Sequence, residues 1–137
     1  MPHPFPAPDE IITRLRALAL ALRAAVLRGL ATTAAEELAS VAGERGGDVI
    51  YQLDERGETI LLAFCERWGE QVPLRLVSEG LEGADDPDGA LIFPAGSDPA
   101  ASAFTLIVDP IDGTRGLMYN KRSAWALFGV APTSPDG

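Results

Sequence analysis

Twelve residues, Phe104-Thr105-Leu106-Ile107-Val108-Asp109-Pro110-Ile111-Asp112-Gly113-Thr114-Arg115, constrain this chain more than any other stretch. The first five are mostly apolar and partly β-branched, which predicts a buried strand. Pro110 has no backbone N–H to donate, so the strand is expected to stop at Asp109-Pro110. Asp109 and Asp112 then stand three residues apart in a tight turn, and Gly113 and Thr114 follow at once. Their carboxylates offer hard oxygen ligands for a metal. The backbone N–H groups of such a turn can also hold an anion. Asp, Pro and Gly are ordinary turn residues as well, so a lone Asp-x-x-Asp would read as a plain polar turn.

The chain has 137 residues, which suits one domain. Hydrophobic residues make up 47% and charged residues 23%, enough for a packed core. The net charge is −9, which argues against nucleic acid or an anionic membrane surface as a partner. The same field would repel a phosphate unless bound divalent cations inverted the local charge. The one cysteine, Cys65, excludes an intrachain disulfide and fits a reducing compartment. The start, Met1 to Pro6, has no basic segment followed by an apolar run. Arg16, Arg23 and Arg28 interrupt the apolar residues 15–31, so no membrane span is expected. These features predict a soluble, cytoplasmic protein.

Residues 1–8 hold four prolines and read as an extended, flexible arm; residues 9–137 form the folded part. Asp9 can cap a helix whose apolar positions are Ile12, Leu15, Leu18 and Leu22, then Ala25 and Val26. Thr33-Ala34-Ala35-Glu36 reads as a capping box for a new segment, with Leu38 and Val41 apolar and Gly43, Gly46 and Gly47 at its end. Two helices or one long kinked helix fit equally. Asp48 to Leu53 is a short β-like run. After Asp54 a helical stripe follows: Ile60, Leu61, Phe64, Cys65 and Trp68, where Cys65 reads as a small core residue. Leu74 to Val77 is a strand candidate ending at Ser78-Glu79-Gly80, and Ala90 to Phe93 is another. Between them Glu82, Asp85, Asp86 and Asp88 lack the ligand pattern of a calcium loop and read as a solvated surface loop. Gly116 to Tyr119 suggests a helical turn, and Ser123 to Val130 a further buried strand.

Asp54, Glu79, Asp109 and Asp112 each lie at or just after the end of a β-like run. Such positions can converge at one sheet edge, where loop-borne groups on a rigid scaffold commonly do chemistry. Two Mg²⁺ ions held there could activate a water and stabilise a leaving alkoxide.

Asp109-Pro110-Ile111-Asp112-Gly113-Thr114 resembles the signature of the inositol monophosphatase family of Mg²⁺-dependent, lithium-sensitive phosphatases, without a mismatch. The resemblance implies an α+β layered fold, with a long N-terminal helix and a second helix packed on a mostly antiparallel sheet. It implies phosphomonoester hydrolysis of a small sugar or inositol phosphate by metal-activated water, with two or more Mg²⁺ ions and inhibition by Li⁺. Residue by residue, Glu79, Asp109, Asp112 and the carbonyl of Ile111 match metal ligands, and Glu79 also orients the water. Asp54 and Thr114 match the pair that activates the water. Gly113 and Thr114 match the phosphate donors. Arg115, Lys121 and Arg122 are equally candidates for an anionic substrate group and for solvent.

The sequence also departs from the family. Gly80 stands where a second Glu is expected, and no Trp-Asp dipeptide occurs: Trp68 precedes Gly69 and Trp125 precedes Ala126. The resemblance covers only the N-terminal half of the family's unit. This predicts a truncated chain, or one completed by a second chain or by a copy of itself. Two rivals follow: a non-catalytic remnant that binds metal or phosphate, and a protein-interaction domain using exposed strand edges.

Overall fold

A computed structural model describes residues 2–37, 44–119 and 121–134. In chain order the elements are α1 (Pro8–Glu37), α2 (Glu44–Gly69), β1 (Leu74–Ser78), β2 (Leu91–Phe93), β3 (Phe104–Asp112), α3 (Thr114–Met118) and β4 (Trp125–Pro132). The strands form one mixed, mostly antiparallel sheet in the order β2-β1-β3-β4. With helices packed on that sheet the fold is α+β, as the sequence predicts. The chain divides into two compact units, residues 1–16, 62–109 and 128–137 in one, and 17–61 and 110–127 in the other.

The first unit is built on β1 and β3. They pair in parallel from Leu74 opposite Phe104 to Ser78 opposite Val108. Alternation then buries Leu74, Leu76, Phe104, Leu106 and Val108 on one face. β2 adds an antiparallel edge, with Leu74 opposite Phe93. The end of α2 covers the buried face: the Trp68 ring lies 4.8 Å from that of Phe104, and Phe64 meets Trp68 edge-on at 5.5 Å. Gly69 permits this approach, since a Cβ there would stand 2.7 Å from the Cβ of Phe93. Cys65 is fully buried, and burial pushes its thiol up to about 12. It is a core residue, as its place on the apolar stripe implies. At the N-terminus the Phe5 ring meets Phe104 edge-on at 6.2 Å, and the His3 N–H donates to the Ala101 carbonyl at 2.9 Å.

The second unit packs the remainder of α1 and α2 around the chain that leaves β3. Leu53 and Ile111 are buried together, with Val26, Leu30 and Ala124 against them.

Several expectations are corrected. Asp48 to Leu53 is helical, inside α2, and not a strand. The reason is period. Leu53, Gly57, Leu61, Cys65 and Trp68 are buried at intervals of three and four, a helical stripe that already includes Leu53. Helix α1 continues through Thr33–Glu36 without restarting; Leu38, Val41 and Gly43 lie outside the described residues. Its inward positions are Ile11, Leu18, Leu22 and Ala25, whereas Ile12 is 54% exposed. β3 runs through Pro110 to Asp112. Pairing with β1 ends at Val108, so Pro110 lies beyond that ladder and its missing N–H costs it no hydrogen bond. β4 is a strand, but Trp125 is 66% and Leu127 48% exposed rather than buried.

The acidic loop is also more than a solvated surface. Asp86 is buried, and one of its carboxylate oxygens accepts from Arg75 at 2.9 Å, from the Asp88 N–H at 3.0 Å and from the Ala90 N–H at 3.2 Å. Burial alone would raise the Asp86 pKa. The hydrogen bonds from Arg75 and Ala90, the Arg75 charge and the Asp88 N–H outweigh it and hold the pKa below the ordinary value. The stabilisation is therefore complete above the unfolded carboxyl pKa of about 3.9 and is lost as pH falls through the lower folded value. Asp86→Ala should cost about 2 kcal/mol at pH 7. Urea unfolding of both proteins should show that difference closing below about pH 4.

Candidate functional site

The parallel ladder places the first pair of carboxylates. It ends with Ser78 opposite Val108, so Glu79, in the turn after β1, and Asp109, on β3, each directly follow the last paired residue. Neighbouring strands lie about 4.8 Å apart, within reach of a shared ligand. The chain turns back directly after β1: the Leu81 N–H donates to the Ser78 carbonyl at 3.1 Å, with Gly80 at φ 82°. That left-handed backbone explains why glycine stands where the resemblance expects a Glu, because a side chain there is strained.

The remaining residues gather where β3 becomes α3. Gly113 has φ 89° and begins the helix, so the chain reverses sharply after Asp112. A Cβ on Gly113 would stand 3.5 Å from the Ser123 carbonyl oxygen. Thr114 is buried and points back at α2, where its Oγ1 donates to Asp54 Oδ1 at 2.9 Å. The Ile111 carbonyl also lies 3.2 Å from that hydroxyl. A hydroxyl has one proton, and the shorter bond to a charged acceptor is the stronger of the two. Helix α2 brings Asp54 here because it abuts this turn closely: a Cβ on Gly57 would lie 3.3 Å from both Pro110 Cβ and Ile111 Cδ1. Asp54 therefore reaches the site from a helix interior and not from a strand end, which corrects the sequence-based placement.

Thus Asp54, Ile111, Asp112, Gly113 and Thr114 fall in one unit, while Glu79 and Asp109 fall in the other. Arg115, Lys121 and Arg122 are exposed. The donor chemistry fits Mg²⁺: every residue that the resemblance singles out offers a hard oxygen, and the ion needs only one or two carboxylates beside waters and phosphate. Among the described residues no three His, Cys, Asp or Glu side chains form a group able to hold a metal ion.

Glu58 went unnoticed in the sequence. It stands one helical turn after Asp54, half-buried, and burial raises its pKa, reinforced by the charges of Asp54 and Glu55. The four-residue spacing was the available signal. It was hidden because residues 48–53 read as a strand, which left the helix phase undefined.

No family model matches the chain, and no curated protein matches it in sequence. Among solved structures, inositol monophosphatase II from Staphylococcus aureus MSSA476 aligns with a TM-score of 0.49 at 17% identity. The alignment covers 87% of this chain and 38% of that one, so this chain spans well under half the length of the aligned enzyme. No described helix is long and apolar enough to cross a membrane.

Glu58 supports a test of the acidic face. With its folded pKa raised, the native state holds the extra proton over a window above the unfolded value, and stability falls as pH rises through that window. Glu58→Gln should therefore be more stable than wild type at pH 7 and equal to it near pH 4. Urea midpoints at the two pH values check this, and equal midpoints at pH 7 would contradict the repulsive cluster.

Proposed function

We propose that this chain carries part of the active site of a Mg²⁺-dependent phosphomonoesterase acting on a small sugar or inositol phosphate. The observation that supports it most is the 2.9 Å hydrogen bond from Thr114 to Asp54. These two residues lie 60 apart in sequence, and the resemblance pairs them as the activators of the attacking water. A chance Asp-Pro-Ile-Asp-Gly-Thr turn has no reason to acquire that partner.

The residues then divide the work. Thr114 donates its hydroxyl proton to Asp54, which leaves its oxygen lone pairs to accept from a water. As the water attacks phosphorus, its proton passes to Thr114 Oγ1 while the Thr114 proton passes to Asp54. One P–O bond forms, the ester P–O bond breaks, and the leaving alkoxide takes a proton from solvent. The N–H groups of Gly113 and Thr114 bind the phosphate oxygens. By the resemblance, Glu79, Asp109, Asp112 and the Ile111 carbonyl are the groups that would hold Mg²⁺, and Glu79 would orient the water. When bound, the ion supplies positive charge that polarises the phosphoryl group and offsets the −9 net charge. Li⁺ inhibits by competing for those oxygens. The protein works in the cytoplasm, as a homo-oligomer or completed by a second chain that supplies the rest of the substrate pocket.

The test is Mg²⁺-dependent phosphate release by the 137-residue chain from a panel of sugar and inositol phosphates. Asp109→Asn should abolish release. Asp54→Asn and Thr114→Val should each lower kcat by about 10²–10⁴ with circular dichroism unchanged. Absence of release above the Asp109→Asn background would remove the enzymatic reading and leave a domain that binds metal or phosphate without turnover.

A further inference from the structure

The turn that ends β3 opens a stretch of opposite charge to the rest of the chain. From Gly113 to Pro135 the sequence carries Arg115, Lys121 and Arg122 and no Asp or Glu, in a chain whose total is −9. All three cations are exposed, and among the described residues none of them forms an ion pair. They lie in the same compact unit as Gly113 and Thr114.

Packing holds Arg122 against this turn. The N–H groups of Lys121 and Arg122 both donate to the Gly116 carbonyl, at 2.8 and 3.2 Å. One residue further on, the Ser123 carbonyl oxygen would stand 3.5 Å from a Cβ on Gly113, and the Ala124 Cα 3.8 Å from it. The loop therefore runs back along α3 from Gly116 to Gly113. The Arg122 side chain lies on the same short helix: a Cβ on Gly116 would be 3.2 Å from Arg122 Cβ, 3.6 Å from its Cγ and 3.7 Å from its Cδ. Glycine at 116 leaves room for that stem, whose apolar part covers the helix while the residue stays exposed.

We propose that Arg122 is a specificity-determining residue that grips a second anionic group on the substrate, a phosphate or a carboxylate on the sugar. This deepens the phosphatase reading and rests on its placing of the reacting phosphate at the Gly113 and Thr114 N–H groups. In that reading the reacting phosphate is already served by those donors and by the cation. Gly116, where the Arg122 stem is anchored, is three residues further along α3, a rise of about 4.5 Å. A stem anchored there suits a group on the body of the ester better than the reacting phosphate itself. A planar guanidinium can take two oxygens of a phosphate or carboxylate at once, which sets orientation as well as affinity. The substrate class narrows accordingly, from sugar or inositol phosphates in general to those that carry a second acid.

Three glucose esters that differ only at C6 test it: glucose 1-phosphate, glucose 1,6-bisphosphate and glucuronic acid 1-phosphate. Each is titrated into the whole chain, with and without Mg²⁺, and followed by amide NMR. The two esters with a second acid should bind about tenfold more tightly than glucose 1-phosphate. Arg122→Gln should bring all three to the same affinity with the spectrum's dispersion retained. Arg67→Gln, which removes another exposed cation at the end of α2, should keep the preference. The inference is overturned, and the phosphatase reading left standing, if glucose 1-phosphate shifts Gly113 and Thr114 but the other two esters bind no better. It is overturned as well if the preference survives Arg122→Gln or is lost equally in Arg67→Gln. No saturable shift at Gly113 or Thr114 from any ester up to about 20 mM removes the phosphate site itself, and this inference with it.

Discussion

The contact between Trp68 and Phe104 is the constraint on which the first unit depends. Both side chains are fully buried, with ring centres 4.8 Å apart, and Phe64 and Phe5 extend the aromatic group on either side. Aromatic side chains of this size dominate the burial energy of a small core. Phe104 is the first residue of β3 and Trp68 ends the buried stripe of α2, so one contact sets the helix against the start of the central strand. The parallel register with β1 counts forward from there. Five paired residues later the ladder ends, and Glu79 and Asp109 are the residues that follow its last pair. The end of that ladder is thus set by apolar packing at its start.

Left-handed glycines shape what happens beyond the ladder. Gly80 lets β1 reverse within two residues, and Gly113 lets β3 reverse into α3. Each reversal leaves a carboxylate immediately before it, Glu79 in one case and Asp112 in the other. The absent second Glu of the family pattern has a backbone explanation, since a tight turn with φ 82° occupies its position. The turn before β2 is held differently, by the buried carboxylate of Asp86 and its three donors. Asp86 is thus a structural carboxylate, neutralised by Arg75.

The strands were legible because they are short, apolar and bounded by Pro, Gly and Asp. Leu74–Ser78, Leu91–Phe93 and Phe104–Asp112 all fall where composition places them, apart from the extension through Pro110. The error at residues 48–53 shows the limit of local propensity. Val49, Ile50 and Tyr51 favour strands, but the stripe from Leu53 to Trp68 continues a helical period that a six-residue window does not span. That error carried Asp54 onto the wrong kind of element and concealed Glu58. Asp86 was lost for another reason: nothing local distinguishes it from Asp85 and Asp88, and its burial depends on Arg75, eleven residues away on a strand.

By itself the sequence determined the chemistry on offer: a strand delivering two Asp residues into a Gly-Thr turn, hard oxygen donors, no reactive thiol, and an acidic chain. Residue identity and short-range spacing suffice for those, because turn formation and donor type are local properties. Tertiary structure alone decided which groups meet. It joined Thr114 to Asp54 across 60 residues, set Ser78 opposite Val108 through strand register, and drew Arg56 against α1 at Gly29. The physical reason is that each of these pairings follows from apolar surfaces packing elsewhere, and side-chain packing between distant segments leaves no mark in the local pattern of either one.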